Sequence, residues 1–310
     1  MTELQPTNPM ALGDPAITEP AIAGPAIGAR GLRGAIRDFS HNRMGMIGLA
    51  VIVVMLLFSF VGPLLYPTNQ THPNLLLITH RPSAQFPLGT DAVGYNVLGR
   101  LMVAGQSTLE VGLAAAAIAT IVGTLWGAVA GYVGGWVDSV MMRIVDALLA
   151  IPALLLVLLL TTLVTPSVVM VIFVLGLISW LITARLVRGQ VLVLRRLEYV
   201  QAAHQMGERA WRIVGRHLVR NVIGTVVVQA TFEVANAILL FAALSFLGLG
   251  PPPPAANWGG MLNDGLNYVF DGYWWLIYPA GLLIVITVVA FNLIGDALRD
   301  ILDPTQRGRG

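Results

Sequence analysis

The sequence predicts an all-α, polytopic membrane protein that crosses the bilayer six times. Of its 310 residues, 56% are apolar and only 11% are charged, whereas a soluble domain carries about a quarter charged residues. Uncharged runs recur along the chain, each long enough for a bilayer helix of about 20 mostly apolar residues. The remaining charges fall in the gaps between these runs, and nearly all the positive ones fall in alternate gaps.

Each element follows from this pattern. Residues 1–32 hold the repeat "PAITE", "PAIAG", "PAIGA" from Pro15 to Ala29, with no arginine before Arg30 and no apolar core of a secretory signal. Proline every five residues blocks helix propagation, so this segment reads as a disordered tail. Residues 33–66 form an N-terminal segment whose run Met44 to Leu65 is the first span, and residues 67–105 are an extracytoplasmic segment. The core, 106–296, holds the other five. Val111 to Val137 is the second, with Glu110 at its outer edge. Ala147 to Ala184 contains 38 uncharged residues, too many for one helix, and is read as a hairpin turning at Thr165 and Pro166. Asn221 to Gly250 and Gly272 to Gly295 complete the six, and residues 297–310 are a tail.

Orientation follows from arginine, which is retained in short cytoplasmic loops. With the N-terminus inside, 16 arginines are cytoplasmic and only Arg81 and Arg100 are outside. Both termini are therefore expected in the cytoplasm of a cell whose plasma or inner membrane holds the chain.

Composition excludes several chemistries. There is no cysteine, hence no disulfide, iron–sulfur site or thiol nucleophile. All 18 basic residues are arginine, so neither a P-loop nor a Schiff-base lysine can form. His72 and His80, like His204 and His217, lack the spacing and companions of a metal site. No nucleophile elbow, zinc-peptidase motif or carboxylate pair is present. No catalytic, cofactor-binding or metal residue is assigned, and no nucleic-acid partner is expected.

Within the spans, Glu233 is the costly residue, since a carboxylate near the bilayer centre costs about 2.5–3.5 kcal/mol on insertion scales. Gln229, Glu233 and Asn236 share a helical face, which is either a polar lining or a contact with a partner subunit. Gly112, Ala116, Gly123, Gly127 and Gly131 permit close helix approach in span two. Gly134 and Gly135 suggest a tight turn, with Asp138 expected to cap the next helix, and Pro152 should kink span three. "PPPPAANWGG" (251–260) reads as a stiff extended stretch outside, with Trp274 and Trp275 as interface anchors.

The largest cytoplasmic loop, 188–220, holds "EYVQAAHQMGERAWRIVGRHLVRN" (198–221). Tyr199, Ala202, Ala203 and Met206 fall on one face of a short helix. Gly207 offers a break with positive φ. Beyond it, Trp211, Val214 and Leu218 line one face and Arg209, Arg212, Arg216 and Arg220 another, with Glu208 and Arg212 as an i, i+4 pair. The expected form is helix, turn, helix. Spacing alone leaves it open between a headgroup anchor and a docking element.

"EYVQAAHQMG" followed by "RHLVRN" resembles the EAA signature of the membrane subunits of ATP-binding cassette importers. "LGTDAVGYNVLGRL" (88–101), "GYVGGWVDSVMMRIVDALLAIPALLL" (131–156), "ARLVRGQVL" (184–192), "LSFLGLG" (244–250), "NWGGML" (257–262) and "NLIGDALRDILDP" (292–304) are similar to the dipeptide/oligopeptide permease subfamily, C-type subunit. The resemblance covers most of residues 33–304 and implies a type I importer permease fold. It also implies a coupling loop that docks on an ATPase, through Glu198, Tyr199, Ala202, Ala203, Gly207, Arg209 and Arg212. The implied partners are a second homologous permease subunit, two ATPases that bind the ATP, an extracytoplasmic substrate-binding protein and membrane lipid. The implied cargo is a short peptide or similar small solute. Gln201, Arg220, Tyr95, Asn96 and Phe241 depart from the family pattern. A secondary transporter should show internal repeats and midplane charges, and a membrane enzyme should show clustered catalytic groups; the sequence offers only Glu233 to the first and nothing to the second.

Overall fold

A computed structural model describes residues 32–162 and 167–302. The expected disordered tail apart from Leu32, the expected turn at Thr165 and Pro166, and residues 303–310 lie outside these. The described residues are helical, with one isolated bridge between Thr90 and Asn96 and no strand.

Helix α1 (Leu32–His41) precedes α2 (Arg43–Leu56), which Asn42 caps by accepting a hydrogen bond from the Gly45 amide. A π-helical turn, Leu57–Val61, and α3 (Gly62–Leu65) extend α2 into one apolar helix, Arg43–Leu65. An irregular segment follows. Asp91 organises it: its Oδ1 accepts from the Val93 amide at 3.0 Å and the Tyr95 amide at 2.8 Å. Helix α4 (Val97–Val133) starts at Asn96, whose side chain accepts from Gly99. At 37 residues and 1.5 Å per residue it is about 55 Å long. It begins 14 residues before the expected span and projects beyond the roughly 30 Å of a hydrocarbon core.

The third span departs furthest from expectation. Helix α5 (Gly135–Leu149) and α6 (Ala153–Thr162) are bent by 84° across residues 150–152. Pro152 has no amide to continue the helix, so the expected kink is a break. The described chain therefore holds five continuous spans, or six if the bent pair counts as one. Asp138 does not cap α5, whose N-cap is Gly134 with no side-chain bond; its carboxylate is taken by an arginine described below.

Helix α7 (Val168–Leu194) opens at Ser167, whose Oγ accepts from the Met170 amide. It packs against α4 along a seam of small residues. A Cβ added to Gly127 would strike the Ala184 carbonyl, and one on Gly131 would lie 2.9 Å from Val191. Then come α8 (Glu198–Gln205), α9 (Ala210–Arg212), a π-helical segment Ile213–Val219 and α10 (Arg220–Phe246). From Ala210 to Phe246 these form one helical run. Helix α11 (Trp258–Leu266) and α12 (Tyr278–Leu302) end the described chain. Helix α12 starts six residues later than the expected span and runs past 297 into the predicted tail.

The two tryptophans part company. Trp274 is half exposed, but Trp275 is buried and donates its indole N–H to the Thr90 carbonyl at 3.2 Å. Trp275 therefore pins the start of the last span to the Asp91 segment instead of anchoring it at an interface. Trp258 is wholly buried, donating through its indole to the Leu101 carbonyl at 2.9 Å.

Candidate functional site

The 188–220 loop lies at the end of the bundle where α4 stops and α5 begins. Its helix α8 is too short to be stable alone, so its position comes from what it packs on. Val200 and Ala203, three residues apart, are buried in a cluster with Ala128 of α4, Val187 and Val191 of α7, and Ile213, Leu218, Val222 and Val226. Of Tyr199, Ala202, Ala203 and Met206, only Ala203 points into the bundle; the other three are exposed, and Met206 is 81% exposed. The seat of α8 is the Val200–Ala203 pair.

Gly207 ends α8 with φ +79°, a left-handed conformation that costs other residues about 1–2 kcal/mol. Glu208 then closes the turn. It meets His217 Nε2 at 3.1 Å and Arg212 Nε at 4.0 Å. Asn221 donates to the Tyr199 hydroxyl at 2.8 Å, tying α8 to the membrane helix. The predicted second short helix is not separate, because the chain passes through Arg220 into α10 without a break. Trp211, expected to line a face with Leu218, is 66% exposed, while Leu218 is buried. Glu198, Arg209, Arg212, Arg216 and Arg220 are exposed. The outer side of the loop thus combines bare Tyr199, Met206 and Trp211 with four arginines.

Two ion pairs brace this end. Arg188 meets Asp138 through both carboxylate oxygens, at 2.5 and 2.7 Å, and Arg185 meets Asp146 at 2.6 Å. Both join α5 to α7. They were missed in the sequence, although Asp138 and Asp146 on one helix, and Arg185 and Arg188 on its antiparallel neighbour, were the signal. Arg195 donates to the carbonyls of Gly131 and Tyr132.

Of the polar set in the spans, Glu233 is the buried member. Glu233 is 2% exposed and its Oε1 accepts from Gln229 at 3.0 Å and from Thr183 of α7 at 3.5 Å. Its Oε2 has no partner. Gln229 is partly buried and Asn236 exposed. Phe241, a departure from the family pattern, is fully buried among Val111, Leu175 and Leu244.

Residues 123–308 match the family described as binding-protein-dependent transport system inner membrane component, and residues 32–82 match the N-terminal transmembrane domain of oligopeptide transport permease C. The chain belongs to this permease family. It is 42% identical to the oligopeptide transport system permease protein OppC of Escherichia coli over 275 residues, 88% of this chain and 91% of that one. It is 40% identical to the probable D,D-dipeptide transport system permease protein DdpC of Escherichia coli over 84% and 87% of the two chains. To the dipeptide transport system permease protein DppC of Bacillus subtilis it is 40% identical over 88% and 85%.

Proposed function

We propose that this permease is a membrane subunit of an ATP-driven importer of short peptides, and that residues 188–220 are the element its ATPase pushes. The observation that carries this reading is the two-sided build of α8. One side is sealed into the bundle through Val200 and Ala203, while Met206 at its end and Trp211 of α9 beyond the turn are largely exposed and Tyr199 is partly so. A helix that served only to close the bundle would have no use for an apolar outer side. Exposed apolar side chains rimmed by charge mark interaction surfaces.

In this reading Glu198, Tyr199, Ala202 and Gly207 shape the docking surface. Arg209 and Arg212 offer forked donors to carboxylates of the ATPase. Arg216 and Arg220, nearer the membrane helix, sit at headgroup depth. The loop end faces the cytoplasm, as do both termini, consistent with the arginine distribution. The subunit itself catalyses nothing and binds no cofactor; ATP is bound by the two ATPases. A second homologous permease subunit completes the channel, and an extracytoplasmic binding protein delivers cargo. Peptide is favoured because the relatives named above are peptide permeases.

The test is reconstitution. Vesicles holding the chain with a second permease, two ATPases and the binding protein should take up a labelled dipeptide only when ATP is supplied on the ATPase side. Uptake by the chain alone, down or against a gradient, would overturn the reading.

A further inference from the structure

At the end of the bundle opposite the coupling loop, the Asp91 segment and α11 enclose a cavity of about 400 Å³. That volume is within the range of small-molecule sites. Its walls are largely apolar, from Val93, Tyr268 and their neighbours, and they hold three charged side chains: Asp91, Arg100 and Asp264.

These charges do not satisfy one another. Asp91 is committed, since Oδ1 accepts two backbone amides and Oδ2 approaches Arg100 only through Nε, at 3.6 Å. Arg100 is 8% exposed and lies over the Tyr95 ring at 4.6 Å. Its Nη1 is enclosed and has no hydrogen-bond acceptor. An unpaired buried donor on a cation is expensive, so this guanidinium lacks an acceptor that the chain does not supply. Across the cavity, Asp264 has neither an ion pair nor a side-chain hydrogen bond among the described residues, and it lines the same space. One wall therefore presents a guanidinium short of an acceptor, and the other an exposed carboxylate with no side-chain partner among the described residues.

We propose that this cavity is a binding site for a free peptide or amino acid held by its charged termini, the carboxylate on Arg100 and the ammonium near Asp264. The apolar walls take the side chains. Both contacts are charge-assisted hydrogen bonds, which are roughly twice as strong as neutral ones. Such a site would hold cargo on the permease itself, before the membrane helices, and would reject peptides whose ends are capped. Tyr95 serves it by stacking under Arg100. This inference rests on the peptide reading given above.

The test uses the assembled complex in nanodiscs, without the binding protein, and the dipeptide Ala-Phe as probe, followed by saturation-transfer NMR titration. N-acetyl-Ala-Phe and Ala-Phe amide should each bind about tenfold more weakly or worse, as loss of one partner from a charge pair implies. Asp264→Asn should abolish the preference for a free ammonium and Arg100→Gln the preference for a free carboxylate. Asp264 is exposed, so its variant stays informative if the Arg100 variant fails to assemble. Equal binding of free and capped peptides, or no binding, overturns the site. So does loss of binding-protein docking in both variants with no terminus preference, which would make the cavity a socket for that protein. ATP-driven uptake of Ala-Phe is measured in parallel with the binding protein present. Uptake without terminus preference in the titration sinks this site alone, whereas an intact complex that moves no peptide sinks the transport reading.

Discussion

Trp211 gives the sharpest test of the coupling loop. Its indole is 66% exposed on the outer side of the loop. A buried aromatic side chain covers about 150–250 Å². Two-thirds of about 200 Å² is roughly 130 Å², worth about 3 kcal/mol at about 25 cal/mol per Å² if an ATPase covers it. Ordering the side chain costs about 1 kcal/mol. The net, about 2 kcal/mol, corresponds to roughly thirtyfold in affinity. Trp211→Ala should therefore weaken binding of purified ATPase to nanodisc-held permease about thirtyfold, measured by biolayer interferometry. Phe270→Ala, which removes a still more exposed side chain at the opposite end of the bundle, should change nothing. The chain has no cysteine, so Trp211→Cys introduces a unique thiol, and a short bifunctional reagent should link it to the ATPase. If Trp211→Ala binds within twofold of wild type and the thiol reacts only with a lipid-borne probe, the side chain is a headgroup anchor and the reasoning fails.

Gly207→Val should leave the permease folded but uncoupled, because the strain of about 1–2 kcal/mol falls on a left-handed residue with open space around it; Gly207→Asn should restore much of the peptide-stimulated ATP hydrolysis used as readout. Gly127→Val, which drives a side chain into the Ala184 carbonyl of α7, should destabilise by about 1–3 kcal/mol, seen as a lower thermal unfolding midpoint in detergent. Arg188→Met should lower that midpoint by leaving Asp138 unpaired, and the double variant Arg188→Met/Asp138→Leu should recover most of the loss. Partial desolvation, with the Asp91 charge nearby, holds the Asp264 carboxyl above its ordinary range against the opposing pull of Arg100, and burial raises Asp91 as well. A raised folded-state value means that the folded form takes up the proton first. Stability attributable to Asp264 therefore rises as pH falls through that value and is complete below about 3.9. Asp264→Asn should flatten the acid side of the midpoint-versus-pH curve, and a steeper dependence in the variant would refute the sign.

Most of the fold was legible because a bilayer imposes one rule everywhere: a spanning segment must be apolar and about 20 residues long. That rule found spans one, two, four, five and six. It could not find their ends, because α4 and α12 continue as helix after leaving the apolar run, and water tolerates a helix whose side chains pack on protein. It also missed how sharply Pro152 would act, since a missing amide shows where a helix is weak and not how far neighbours will turn it. The coupling loop was legible as a pattern but not as a surface. Spacing shows which residues share a face of α8 but not which of them the bundle covers: Val200 and Ala203 are buried, while Tyr199, Ala202 and Met206 are exposed. The Arg100 cavity was invisible for a different reason. Arg100 and Asp264 are far apart in sequence, and only the turn built on Asp91 brings them to one space.

The route from loop to membrane is set by the π-helical segment Ile213–Val219. A π turn bonds i to i+5 and so brings residues five apart over one another. Ile213 and Leu218 are such a pair, and both are fully buried in the cluster that seats Val200 and Ala203. A force on α8 therefore reaches α10 through a wide turn in direct contact with it, with no intervening loop to absorb the motion. The opposite wall is stiff, because Gly123, Gly127 and Gly131 let α4 and α7 approach until backbone meets backbone, and such packed contacts do not slide by small amounts. Between α10 and the α4–α7 pair lies the bond from Thr183 on α7 to Glu233 on α10. At 3.5 Å it is the long member of the Glu233 set, and it is the polar tie that displacement of α10 against α7 would stretch first.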